Sequence, residues 1–194
     1  MDDWLVAIAT SPLVYPALFA LVVGDAFLVI LPSETAVVAL GALAASTGSP
    51  FVPALIATAW AGAVVGDLIC FGIGRRLGLD RWAWQREGRV GRAIARARST
   101  VLTRTAVLVF TARYVPFARI AVNLAAGASG LPLRRYLPLS AGAGLAWAVF
   151  NTIVGAVFGR AMPDAPLLAV LIAVVVAIVL GLLVDAVMRR LAQR

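Results

Sequence analysis

Five ionisable residues stand inside or beside long apolar stretches of the chain, where charged side chains are rare. Three are carboxylic acids and two are arginines: Asp25, Glu34, Asp67, Arg113 and Arg119. A charge at the centre of a membrane helix costs about 2.5–3.5 kcal/mol on insertion scales, so such residues normally pair with each other or serve a function. A purely structural interpretation is that Arg119 and Asp25 snorkel to the interface while Asp67 and Arg113 form an ion pair.

Two prolines favour a functional interpretation, because each lies beside these charges and would interrupt a helix. They are Pro32, which precedes Glu34, and Pro116, which lies between Arg113 and Arg119. A break at Pro116 would let the two arginines converge, although they need not lie on one regular helix face. Planar guanidinium groups bind phosphate oxygens in a bidentate manner, so Arg113 and Arg119 are the candidate substrate-binding residues for an anion.

The carboxyl groups of the first apolar segment indicate a different task. Asp25 and Glu34 would repel an anion unless they are protonated. A carboxyl group in a poorly hydrated site takes up a proton more readily than one in water, and it can exchange that proton as the site opens to each side. We therefore expect Glu34 and Asp25 to act in proton coupling, with Asp67, Pro32 and Pro116 as supporting residues.

The amino-acid composition indicates a membrane protein that is surrounded by lipid. Of its 194 residues, 62% are hydrophobic and 13% are charged, and the mean hydropathy is +0.98, outside the usual range of soluble domains. A spanning helix needs about 20 apolar residues, and three runs supply them: 51–73, 136–158 and 165–187. Asp2 and Asp3 stand where a cleavable signal peptide would have basic residues, so we expect the apolar N-terminal segment to remain in the mature protein.

The residue types that are missing narrow the chemistry further. The sequence has no histidine and Cys70 is its only cysteine, which excludes disulfides within the chain, Cys/His zinc sites and histidine-dependent triads. No nucleophile–base pair, metal cluster or cofactor motif is visible, so we expect no enzymatic activity, cofactor or metal. The net charge of +8 would suit nucleic acid, but no soluble domain is present to bind it, and we interpret the charge as membrane topology and contact with anionic lipids.

Residues 13–47 and 103–129 are apolar but broken in the middle, so neither is expected to cross the bilayer as one straight helix. The arm before Pro32 is expected to be about as long as a membrane crossing, but the arm 35–47 would rise only about 20 Å. The arms Thr105–Ala112 and Phe117–Ala128 are also too short to span. We predict two re-entrant hairpins, each followed by a transmembrane helix. The predicted fold is therefore an all-α polytopic membrane protein, in which an inverted repeat of hairpin and transmembrane helix is followed by a C-terminal transmembrane helix.

The distribution of arginines predicts the topology of this single membrane domain, residues 1–194. Nine arginines lie between Arg75 and Arg104 with only two acidic residues, and the positive-inside rule places that segment in the cytoplasm. Within it, residues 80–101 are predicted to lie on the lipid surface as an amphipathic segment, because the arginines at 86, 89, 92 and 96 share one helical face. Counting the spans from there gives the two halves opposite orientations, as in many secondary transporters, and leaves the C-terminus cytoplasmic.

Three groups of motifs carry a resemblance to a known family. They are Leu31-Pro32-Ser33-Glu34; Gly62-Ala63-Val64-Val65-Gly66-Asp67 with Phe71-Gly72-Ile73-Gly74-Arg75; and Arg113-Tyr114-Val115-Pro116-Phe117-Ala118-Arg119 with Ala126-Gly127. Over roughly residues 15–160 the chain resembles the DedA family, also described as the VTT or SNARE-associated Golgi protein domain. It departs from the family pattern at three places: Asp25-Ala26 replaces a frequent Glu-Asn, Ile30 replaces the first proline of a Pro-x-Pro-x-Glu motif, and Phe71 replaces a tyrosine.

The resemblance implies essential acidic residues in the first hairpin and essential arginines in the second, which fall on Asp25, Glu34, Arg113 and Arg119. It also implies a bacterial inner-membrane protein of membrane homeostasis, whose relatives are linked to translocation of undecaprenyl phosphate or phospholipids and to dependence on proton motive force. The leading hypothesis is a lipid flippase or scramblase-like transporter, whose partners are an anionic lipid substrate, membrane lipids and protons.

Two alternatives remain open from the sequence. The same proton-coupled pocket would also suit a small solute or ion. A structural or assembly protein would instead lose folding, rather than transport, when its intramembrane charges are replaced. Glycine and alanine on the last predicted helix permit close helix contacts and hence a homo-oligomer.

Overall fold

The computed structural model describes residues 10–27, 32–78, 88–113 and 118–162, together with a few isolated positions near the two ends. All regular elements in these ranges are α-helices, and no strand occurs within them. We number the helices α1 (Val14–Asp25), α2 (Ser33–Thr47), α3 (Val52–Leu77), α4 (Gly88–Thr103), α5 (Thr105–Ala112), α6 (Ala118–Ala128) and α7 (Leu133–Ala161). The predicted all-α class is confirmed for the described ranges.

Two helices of the described part are long and apolar enough to cross a bilayer. Helix α3 has 26 residues and α7 has 29, with mean hydropathies of 1.9 and 1.6 over their apolar windows. At a rise of 1.5 Å per residue they extend about 39 and 44 Å, more than the hydrocarbon thickness of about 30 Å. They correspond to the predicted spans 51–73 and 136–158. The third predicted span, 165–187, lies almost entirely outside the described residues.

The helices of the two broken segments are short. They comprise 12 residues in α1, 15 in α2, 8 in α5 and 11 in α6, so the longest of them rises about 23 Å. The arm before Pro32 was expected to be about as long as a membrane crossing, but α1 ends at Asp25 and residues 28–31 lie outside the described ranges. The second predicted break, at Pro116, also lies outside them, as do residues 80–87 of the predicted amphipathic segment.

Backbone chemistry explains where several helices begin and end. Pro32 stands at the N-cap of α2 with ψ 59°, outside the helical region. A proline suits a helix start because the amide hydrogen that it lacks would have no helical partner there. Gly48 ends α2 with φ +80° and Gly78 follows α3 with φ +67°. This left-handed conformation is the usual way to close a helix, and glycine adopts it without strain.

The contacts divide the chain into two compact units, whose boundaries fall inside α3 and α7. The first unit comprises Met1–Ala63 and Gly144–Arg194, and the second comprises Val64–Ala143. The first has a buried apolar core of Val14, Leu18, Val22, Val37, Leu40, Leu43, Leu55, Ala59, Ala63, Trp147 and Ala148. The core of the second consists of Phe71, Val101, Val109, Ala126, Leu131, Tyr136 and Ala143.

Glycines bring helix backbones into direct contact inside each unit. In the first unit, a methyl group at Gly41 of α2 would lie 2.7 Å from the backbone oxygen of Thr152 on α7. In the second unit, a methyl group at Gly127 of α6 would overlap the backbone oxygen of Phe71 on α3. Other glycines with equally close backbone neighbours at these interfaces are Gly74, Gly155 and Gly159. Small residues at such crossings are typical of membrane helices, whose association depends on close packing.

Candidate functional site

The carboxylate of Asp67 on α3 lies at the centre of a polar cluster in the second unit. Asp67 is 2% exposed, and its two oxygens accept hydrogen bonds from four side chains. Oδ2 accepts hydrogen bonds from Arg113 Nη2 at 2.6 Å and from Ser140 Oγ at 2.8 Å. Oδ1 accepts hydrogen bonds from Arg119 Nε and Asn123 Nδ2, both at 2.9 Å. An ionised carboxylate has about four lone-pair sites, so these four donors saturate it.

Several helices position these donors. Arg113 directly follows α5, while Arg119 and Asn123 are four residues apart on one face of α6. Ser140 lies on α7, one turn after Tyr136, whose hydroxyl donates to the backbone oxygen of Asp67 at 3.3 Å. Because the donors come from separate elements, the cluster forms only when the second unit is folded.

The two arginines of the cluster differ in exposure. The side chain of Arg113 is 3% exposed and that of Arg119 is 14% exposed. Both lie within salt-bridge distance of Asp67, and hydrogen bonds that involve charged groups are shorter and stronger than neutral ones. Arg119 is therefore the arginine at the more accessible edge of the cluster.

The two acidic residues of the first broken segment belong to the first unit. Asp25, at the end of α1, accepts a hydrogen bond of 2.9 Å from the hydroxyl of Ser33, which is 1% exposed. Glu34 is exposed in the first turn of α2. Its carboxylate accepts a hydrogen bond of 3.3 Å from the indole nitrogen of Trp147, a buried residue of α7. The Ser33 bond joins residues on either side of Pro32. A negative charge in the first turn is also stabilised by the helix dipole.

The structure gathers some of the predicted site residues and adds others. It places Arg113 and Arg119 on one carboxylate, as a break between them would allow, and pairs Arg113 with Asp67. Their role in binding a substrate stays a prediction. Sequence reasoning missed the neutral donors Asn123 and Ser140, although the spacing of four residues between Arg119 and Asn123 is a signal for one helix face.

The single cysteine and the acidic residues of the described part form no recognisable metal centre. Cys70 is a buried residue of α3. Among the described residues, no group of three or more His, Cys, Asp or Glu side chains is placed to hold a metal ion.

Comparisons with known proteins place these residues in context. The family model of the VTT domain matches residues 31–157, a range that includes Glu34 and all residues of the Asp67 cluster. A protein named alkaline phosphatase-like protein from Lactococcus lactis subsp. lactis is 27% identical over 150 residues, which cover 70% of each chain. Inner membrane protein YohD of Escherichia coli is 28% identical over 146 residues, which cover 74% of this chain and 71% of that protein. No solved structure matches the chain.

Proposed function

Since this chain belongs to the VTT domain family and is a membrane protein of the DedA type, we propose that it translocates an anionic lipid between the leaflets of its membrane. The observation that supports this most is the convergence of Arg113 and Arg119 in a buried cluster of the second unit. Paired guanidinium groups are the side chains best suited to phosphate oxygens. Undecaprenyl phosphate or a phospholipid has the headgroup that this chemistry would bind.

The topology that we propose keeps the irregular backbone inside the protein. Helices α1 and α2, and likewise α5 and α6, are re-entrant hairpins, because each of these helices is shorter than the hydrocarbon layer. Broken helices are tolerated at membrane depth where they are buried in protein or line a water-filled cavity. Helices α3, α7 and residues 165–187 are the full crossings, which makes the protein multi-pass with an inverted repeat and a cytoplasmic C-terminus. The inner membrane is the proposed location, by analogy with YohD.

Proton coupling is assigned to Glu34, with a weaker contribution from Asp25. Both carboxylates accept hydrogen bonds from buried neighbours, Glu34 from Trp147 and Asp25 from Ser33. Protonation weakens an acceptor of this kind, so it would loosen the contacts around the break at Pro32. The first hairpin would then respond to the proton gradient while the second binds the anion.

A structural role is the second candidate, and the saturation of Asp67 favours it. A buried carboxylate with four donors also holds together the helices that carry those donors. Removing one partner of a buried ion pair is strongly destabilising. Transport of a small anion through the same cluster is a further alternative. We propose no enzymatic activity, because the sequence contains no recognisable nucleophile–base pair. The phosphatase-like name belongs to the Lactococcus protein alone.

Reconstitution tests the proposal directly. The purified protein is placed in liposomes with either a labelled polyprenyl phosphate or a labelled glycerophospholipid, and appearance of the label in the opposite leaflet is followed with and without a proton gradient. We expect movement of at least one anionic lipid above the rate in protein-free liposomes. The proposal is wrong if the folded protein accelerates neither lipid under either condition, and uptake of inorganic phosphate instead would support the small-anion alternative.

A further inference from the structure

We propose that Asp67 is a built-in occupant of an anion-binding cradle and that the headgroup of the substrate takes its place. The cradle consists of Arg113, Arg119, Asn123 and Ser140. The inference rests on the proposed function and deepens it, because it adds two neutral headgroup donors and assigns to Asp67 the role of a competing ligand. The ligand class is an anion that offers two oxygens, such as a phosphate monoester.

The geometry around Asp67 is that of a donor site filled by an anion. All four side chains donate, two to each oxygen, over distances of 2.6–2.9 Å. A guanidinium group fits carboxylate and phosphate oxygens alike. A cradle that holds a carboxylate in this way can therefore hold a phosphate without a new set of donors.

Exposure indicates the side from which an anion arrives. Asp67 is 2% exposed and the side chain of Arg113 is 3% exposed, whereas that of Arg119 is 14% exposed. An incoming anion therefore meets Arg119 first. Asn123 lies on the same face of α6 as Arg119, so the second donor to Oδ1 is next in reach.

The exchange keeps the donors satisfied but changes the state of Asp67. One anion replaces another, so no buried donor is left without an acceptor. The displaced carboxylate would remain buried without its donors, a costly arrangement, so it takes up a proton. The titratable or charged groups that surround it among the described residues are Arg113 after α5, Arg119 on α6, Tyr136 on α7 and Cys70 on α3.

Binding measurements with soluble phosphates test the exchange. Geranyl monophosphate and inorganic phosphate are titrated onto the purified protein by calorimetry. Because the Asp67→Asn variant lacks the competing charge, we expect it to bind geranyl monophosphate about tenfold more tightly than the wild type. Ser140→Ala and Asn123→Ala should each weaken binding about fivefold through loss of one donor. The matched control is Ser129→Ala, a buried serine directly after α6 whose hydroxyl donates to the backbone oxygen of Ala125, and its binding should be unchanged.

A second measurement needs no substitution at Asp67. Infrared difference spectra of the wild type should show one ionised carboxyl group becoming protonated as geranyl monophosphate saturates the site. The same change should persist in Glu34→Gln, because the responding group is Asp67. A wild-type spectrum without this change at saturation overturns the inference, even where Asp67→Asn fails to fold.

The outcomes separate this inference from the proposed function. Tighter binding of geranyl monophosphate than of inorganic phosphate would support exchange with a lipid headgroup, and equal binding of the two would support exchange with free phosphate. If folded Asp67→Asn binds no more tightly than the wild type, the exchange is wrong while lipid translocation stands. If neither phosphate binds to wild type or variant, the exchange is wrong, whereas lipid translocation is wrong only if reconstitution also shows no lipid movement.

Discussion

Arg119 and Asn123 lie four positions apart on α6 and donate to the same oxygen, Oδ1 of Asp67, at 2.9 Å each. Gly127 continues this stripe by another four positions and meets the backbone of Phe71, itself four residues after Asp67 on α3. Polar and glycine contacts therefore follow one another along a single pair of helix faces. The close approach at Gly127 fixes the separation at which the two donors reach Asp67.

A side chain at Gly127 should consequently disturb both packing and the polar cluster. We expect Gly127→Val to lower the free energy of unfolding by about 1–3 kcal/mol or more, the usual effect of overpacking, since the obstacle is backbone. The measurement is thermal unfolding of the purified protein in detergent. Gly72→Ala is the matched control on α3, because a methyl group there has no neighbour within 4 Å, and alanine favours a helix over glycine. Equal stability of both variants would contradict the packing described for α3 and α6.

The topology can be tested by chemical labelling. In a Cys70→Ser background, single cysteines at Ser49 and Ala165 should react with an impermeant reagent added from outside the cell, while cysteines at Ser99 and Leu133 should not. The expectation follows from the positive cluster between Arg75 and Arg104 and from two re-entrant hairpins. Labelling of Leu133 from outside, with Ser99 protected, would eliminate the second hairpin.

Replacement of Glu34 should separate binding from proton coupling. Because Glu34→Gln imitates the protonated acid, binding of the anionic lipid should persist while the pH dependence of transport between about pH 6 and pH 8 becomes much weaker than in the wild type, with only the part due to Asp67 remaining. Asp25→Asn should show a milder version. Initial transport rates in proteoliposomes and headgroup binding are measured side by side. A Glu34→Gln protein with the rate and pH dependence of the wild type would leave Glu34 with a structural role only.

Local sequence signals predicted the positions of the helices better than they predicted the polar contacts between helices. The arm Thr105–Ala112 agrees with α5, because apolar content, length and flanking polar residues all act within a few positions. The partners of Asp67 are 46 to 73 positions away in the sequence, so only tertiary packing reveals which donors meet. Charged residues stood out because burying them is costly. Asn123 and Ser140 did not, since neutral polar residues are common on such helices.

The expected length of the first arm shows a second limit. From hydropathy alone, the first helix was expected to extend toward Pro32, but α1 ends at Asp25. The carboxylate of Asp25 accepts a hydrogen bond from Ser33 at the start of α2. A short polar side chain that pairs across a break is invisible to an apolar pattern.

In the proposed transport cycle, Arg113 and Arg119 hold the anionic headgroup during translocation. Lysine keeps the positive charge but loses the planar fork, so Arg113→Lys and Arg119→Lys should slow transport about tenfold or more. Expression and thermal stability should stay near the wild type. Arg92→Lys, at an exposed position of α4, is the matched control and should transport at the wild-type rate.

The decisive measurement is the initial rate of polyprenyl phosphate movement in proteoliposomes that contain equal amounts of each folded variant. We expect the two cluster variants to be slow, and the wild type and Arg92→Lys to be equally fast. Folded Arg113→Lys and Arg119→Lys proteins that move the lipid at the wild-type rate would contradict it, and loss of folded protein in both would favour the structural ion pair.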